Sequence, residues 1–144
     1  MTDVLLSVKT LLDNNWTSGN TASRTPTVQS IFDVKRVDFR ISGSKDHIFL
    51  WEITRVPEDN AAGAASKKVT WVIAIDIRTM LSRAQADLVR VEVRRILNAN
   101  QIDPFGDATF DISDITDDQD LSDRLVGIWR FQVKWEIKQL NLAI

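Results

Sequence analysis

The sequence predicts an α+β fold: one domain over residues 1–144 in the order helix, three strands, helix, two strands (α-β-β-β-α-β-β), its antiparallel or mixed sheet carrying two helices on one face. Three observations lead there. Apolar residues recur at helical spacing near 4–12 and 86–97, and they alternate with a period of two around 37–41, 69–77 and 129–137. A chain of 144 residues with 44% apolar and 26% charged side chains supplies one ordinary core.

Val4, Leu5, Val8, Leu11 and Leu12 share one helical face, with Thr2 or Asp3 as cap, so a short amphipathic helix is expected to end near Asn14 and Asn15. From Trp16 to Ser30 the chain is rich in Ser, Thr and Asn, holds Gly19 and Pro26, and has no period; residues 17–30 read as a long flexible loop. Val37, Phe39 and Ile41 alternate with polar neighbours, and Gly43-Ser44-Lys45-Asp46 turns the chain into His47–Thr54, which together predict a hairpin. The second strand is apolar on both sides, at Ile48 and Leu50 and at Phe49 and Trp51, so its second face needs a cover.

Residues 56–67 carry no large apolar side chain after Val56 and read as a second long flexible loop. Val69, Trp71, Ile73, Ile75 and Ile77 then define the strongest strand, expected at the centre of the sheet. Ser82-Arg83-Ala84-Gln85 fits a capping box, in which Ser82 takes the Gln85 amide and the Gln85 side chain reaches back. That helix is expected to run to about Asn98, stopped by Asn98-Ala99-Asn100 and Pro104. Ala86, Val89, Val93, Ile96 and Leu97 form its core stripe. Between Asp103 and Asp123 lie eight aspartates and no basic residue, with a short strand candidate at 108–112 and a turn at Asp117–Asp120. The last strand, from Gly127 to about Gln139, sets Trp129, Phe131, Val133, Trp135 and Ile137 against Arg130, Gln132, Lys134, Glu136 and Lys138, one face core and the other wet.

Composition narrows function. Cysteine is absent and histidine occurs once, at His47, so disulfides, thiolate chemistry, Cys/His zinc sites and two-histidine catalytic sites are excluded. The glycines at 19, 43, 63, 106 and 127 form no phosphate-binding loop. The aspartates lack the spacing of a calcium loop and read as a solvated acidic segment. No enzyme activity, cofactor or metal is expected. A net charge of −2 argues against strongly basic nucleic-acid binding. The N-terminus does not read as a signal peptide and the apolar run Val69–Ile75 is far short of the roughly 20 residues that span a bilayer, so no membrane partner is expected.

Association surfaces are a better prospect. Ala84, Leu88 and Val91 form a second, narrower apolar strip that needs a partner, either the N-terminal helix or a neighbouring subunit. Arg83, Arg90 and Arg94, with Arg78 and Arg95, form the densest basic group; it suits phosphates or an acidic loop, including Asp117 and Asp118 of an adjacent copy. Trp51 falls outside the core pattern, and aromatic side chains are enriched at interface centres.

The element order, with Val72-Ile73-Ala74-Ile75-Asp76-Ile77-Arg78-Thr79, Ser82-Arg83-Ala84-Gln85-Ala86-Asp87 and Glu92-Val93-Arg94-Arg95-Ile96-Leu97, resembles the tail terminator proteins of long-tailed bacteriophages and related archaeal viruses, also called tail-completion or tail-to-head joining proteins. The best text covers residues 69–100, and Asp120-Leu121-Ser122-Asp123-Arg124 before the last strand fits it too. The resemblance implies a homohexameric ring that caps the tail tube and joins it to the head or neck, located in the virion and assembled in the host cytoplasm. Its implied partners are further copies of itself, the tail tube protein and a neck connector, with DNA only passing through the lumen. Under that reading Glu58, Asp59, Asn60, Lys67 and Lys68 are candidates for contact with a neighbouring ring. The alternatives are a head-to-tail connector one layer higher and a small nucleic-acid-binding α+β module using the arginines.

Overall fold

A computed structural model of the chain describes residues 3–31, 39–59, 67–106, 110, 112–123 and 126–141. Helix α1 (Val4–Asn15) starts at Asp3, whose carboxylate accepts the Leu6 amide at 3.2 Å. A single 3-10 turn at Ser18–Thr21 follows, then strands β1 (Thr27–Ile31), β2 (His47–Asp59) and β3 (Lys67–Thr79). Helix α2 (Arg83–Ala99) leads to β4 (Asp114–Asp120) and β5 (Trp129–Asn141). The five strands form one mixed sheet in the order β1-β2-β3-β5-β4, parallel only between β1 and β2.

The fold is α+β with β3 central. Ile48 and Leu50, then Trp71, Ile73, Ile75 and Ile77, then Phe131, Val133, Trp135 and Ile137 share one core with the apolar stripes of both helices. Burying each such side chain contributes about 1.5–3 kcal/mol. Helix α1 lies over β1 and β2, α2 over β3 and β5.

The expected string of elements is right, but two of its strands lie elsewhere. Residues 17–30 are not one loop: the 3-10 turn and β1 occupy much of them, with Val28 and Ile31 buried and the Thr27 amide bonded to the Asp46 carbonyl at 2.9 Å. A five-residue strand with two buried positions leaves little periodic trace, and parallel pairing with β2 supplies what the pattern lacks. Conversely, residues 39–42 are not a strand, and 32–38 lie outside the described residues. Phe39 instead crosses the far face of the sheet, its ring edge-on to Phe49 at 5.1 Å and to Trp51 at 5.8 Å. That contact covers the second apolar face of β2, as its sequence requires; Phe49 is 2% exposed.

The loop expected over 56–67 is also shorter. Strand β2 continues to Asp59 and β3 begins at Lys67, with Glu58 in register with Lys68 and Asp59 with Lys67; Asn60 lies outside the described residues. A bulge between Glu52 and Thr54 breaks the alternation of β2 beside the exposed Ile53.

The acidic segment differs most. Of the strand expected at 108–112, only Phe110 and Ile112 are described, and Phe110 makes a single antiparallel bridge to Gln139. The turn expected at Asp117–Asp120 is strand β4, paired with β5 at the sheet edge. Aspartate is a poor strand former. Here the opposing cations of α2 and β5 compensate for its charge, and an acidic edge discourages the addition of another strand.

Candidate interaction surface

Helix α2 presents four sides, each set by the 100° step between residues. The innermost carries Ala86, Val89, Val93, Ile96 and Leu97, all buried. The side toward the sheet edge carries Arg83, Asp87, Arg90 and Arg94. Arg83 meets Asp120 at 2.6 Å, Arg94 meets Asp118 at 2.6 Å, Arg90 reaches Asp118 at 3.5 Å, and Arg90 also pairs closely with Asp87. The Arg90 and Arg83 guanidinium groups lie 4.8 and 5.4 Å from the centre of the Phe131 ring, so the row also roofs the core. From below, Lys134 of β5 approaches Asp117 at 3.6 Å.

The basic side of α2, read from the sequence as facing phosphates or an acidic loop, has acidic partners within its own chain. Arg83 meets Asp120, and Arg90 and Arg94 meet Asp118, inside one chain, whereas Asp117 meets Lys134 of β5. The α2–β5 contact on one side and β4–β5 pairing on the other bring them together, over a separation of 24 residues between Arg94 and Asp118. Hydrogen bonds from Ser122, together with Arg83, hold the Asp120 carboxyl at about 2, below its ordinary 3.8.

The opposite side of α2 faces the segment 15–21. Ser82 caps the helix as expected, its hydroxyl accepting the Gln85 amide at 3.0 Å. The second half of the expected capping box is absent: the Gln85 side chain donates to the Thr21 carbonyl at 3.0 Å and to Asp46 at 2.7 Å. Asp46, itself fully buried, also accepts from Thr79 at 2.8 Å and Arg24 at 3.0 Å. Two turns further along, Glu92 accepts from the Thr17 amide at 2.7 Å, from Asn20 at 3.0 Å and from Arg95 at 2.6 Å. Those bonds, Arg95 first and against the cost of burial, depress the Glu92 carboxyl to about 2 from 4.5. Sequence reasoning missed Asp46, Gln85 and Glu92 as a set, because the partners that join them to other elements are 22 to 75 residues distant. The available signal was Glu92 itself, an acid at a position 180° from the basic row and beside the core stripe.

A third polar centre lies on the far face. Asp76 is fully buried and accepts from Arg78 at 2.6 Å, Arg130 at 2.6 Å and Gln132 at 3.0 Å. Arg78 in turn stacks under Phe39, 4.4 Å from the ring centre. Trp51 is half-buried beside this cluster, on the sheet face opposite the helices. Among the described residues no group of three or more acidic or histidine side chains is placed to hold a metal ion.

The outermost side of α2 carries Ala84, Leu88 and Val91, and Leu81 lies just before the capping Ser82. Leu81 is 52% exposed, Leu88 40% and Val91 54%, so the N-terminal helix does not cover the strip. Met80 extends the exposed apolar surface past the end of β3. A separate groove follows the outer side of α1, between Leu6, Thr10, Leu11 and Asn14 and the later residues Pro104 and Phe105. The class this geometry defines is a small α+β domain with charges largely satisfied internally and apolar side chains exposed on its helical layer. No protein-family model matches the chain, and no curated protein matches it either. Among the described residues no helix is long and apolar enough to cross a membrane.

Proposed function

We propose that the chain is a structural protein of a viral tail or neck, assembling into a ring, with six copies as the expected number, that caps the tail tube and joins it to the head. The observation that carries this reading is the strip Leu81–Leu88–Val91: exposed, apolar, and flanked by charges that already have partners. Exposed apolar surface of this kind marks association sites. The text that resembles tail terminator proteins, residues 69–100, corresponds to β3, the turn and α2, the part of the chain that displays the strip.

A closed ring uses heterologous contacts, in which one patch meets a different patch on the next copy. The strip on α2 is one patch, and the groove beside Leu6 and Phe105 is its counter-surface. The paired ends of β2 and β3, with Glu58 opposite Lys68 and Asp59 opposite Lys67, then serve contact with the tail tube or the connector. The nucleic-acid alternative is less favoured, because Arg83 and Arg94 are engaged by Asp120 and Asp118 and would have to exchange those partners for phosphates.

Light scattering after size exclusion tests the reading. A multi-subunit species is expected from the native chain, and folded monomers from Leu88→Asp and, separately, Leu6→Glu. Mixing the two variants should restore a dimer, since each retains one intact patch. A native chain that stays monomeric at high concentration and is missing from virions overturns the proposal; an oligomer found one layer above the tail supports the connector instead.

A further inference from the structure

We propose that the neutral imidazole of His47 is a latch that holds segment 39–45 across the far face of the sheet, and that protonation of this ring releases the segment and uncovers Phe49 and Trp51. The latch is a hydrogen bond with a defined polarity: the Ser42 amide donates to His47 Nε2 at 3.0 Å. A ring nitrogen accepts only when it carries no proton. Once His47 is cationic, two donors face each other across that distance and the bond is lost.

Asp46 is anchored separately by Arg24, Thr79 and Gln85, and the bond to His47 holds the turn before it. Ser42 bonds through its hydroxyl to Ser44, at 2.8 Å to the side chain and 3.2 Å from the amide, and its carbonyl accepts the Lys45 amide at 3.4 Å. These bonds stay within the turn, whereas the His47 bond ties the turn to a sheet strand. Three residues before Ser42, Phe39 lies over Phe49, Trp51 and Arg78. The surroundings disfavour a positive ring. Arg78 is its cross-strand neighbour on β3 and Lys45 precedes it in the turn. The neighbouring carboxylate, Asp46, is turned toward Arg24, Thr79 and Gln85, and Asp76 is occupied by Arg78 and Arg130; β1 places the uncharged Thr27 opposite. Burial therefore lowers the histidine below 6.5, with Asp46 opposing and Lys45 assisting. The latch is closed at neutral pH and opens on acidification below that range.

The test is NMR on the native chain, following the Ser42 amide and the His47 ring through one pH series. Protection of the Ser42 amide, corrected for intrinsic exchange, is expected to fall roughly three- to tenfold, the size of one net hydrogen bond, with the same midpoint as the ring. The Phe39–Phe49 contact should weaken together with it. In His47→Phe, which keeps an aromatic ring but has no acceptor, the Ser42 amide should be unprotected and independent of pH in this range. Unchanged Ser42 protection across the imidazole titration, or protection retained in His47→Phe, overturns the latch. Loss of Ser42 protection with an intact Phe39–Phe49 contact overturns the uncovering.

Discussion

The two flanks of α2 carry similar chemistry at different depths. Toward β4, Arg83 and Arg94 reach Asp120 and Asp118, whose side chains are 36% and 14% exposed. Toward the 3-10 turn, Glu92 is 1% exposed and its carboxylate is enclosed by a backbone amide, an asparagine and an arginine. Water screens the first set and replaces it at little cost. It cannot reach the second, so removing the carboxylate there leaves buried donors unmatched. One flank fastens the edge of the sheet loosely; the other fixes the path of the chain from α1 to β1.

Breaking the stripe between the flanks gives the upper bound. Val93→Asp, or Ile73→Asp on the strand beneath, places an unpaired charge in the core and should abolish cooperative unfolding, as seen by circular dichroism. Glu92→Ala comes next, with an expected loss of about 3 kcal/mol in urea unfolding. If that loss proves as small as the one at Arg94, depth does not separate the flanks.

Acid acts on a carboxylate of each flank. The Glu92 carboxyl is depressed in the folded chain, so its contribution is complete above 4.5 and is lost as pH falls toward about 2. The urea midpoint of the native chain should decline across that window, and Glu92→Gln should remove its share of the decline and leave that of Asp120, held at about 2 on the other flank. His47 acts at higher pH and in the same direction: its lowered value means that stability is complete above 6.5 and falls as pH drops below it. Arg94→Ala should cost less than about 1 kcal/mol, an effect that added salt erases. The smallest change is expected on the outer strip, where Leu88→Asp should alter monomer stability by no more than about 0.5 kcal/mol while changing the oligomeric state.

Local patterns were legible where a segment buries one face by its own periodicity. The α1 stripe, the Ser82 cap, the core stripe of α2, β3 and β5 all follow from spacing, as does the exposed second strip at Leu88 and Val91. Segments whose structure comes from a distant partner were not legible. Strand β1 exists through its parallel pairing with His47–Trp51, and β4 holds its aspartates in a strand because α2 and β5 supply cations. Phe39 alternates like a strand residue yet packs as a cover over Phe49.

The sequence by itself determined the α+β class, the order of its elements, the central strand and the charge division between a basic helix and an acidic segment. Only the tertiary structure decided where those charges go. Periodicity reports which side of a segment avoids water, a property of neighbours along the chain. The pairing of Arg94 with Asp118, of Glu92 with Thr17 and of His47 with Ser42 depends on which segments the sheet and helices bring within hydrogen-bond reach.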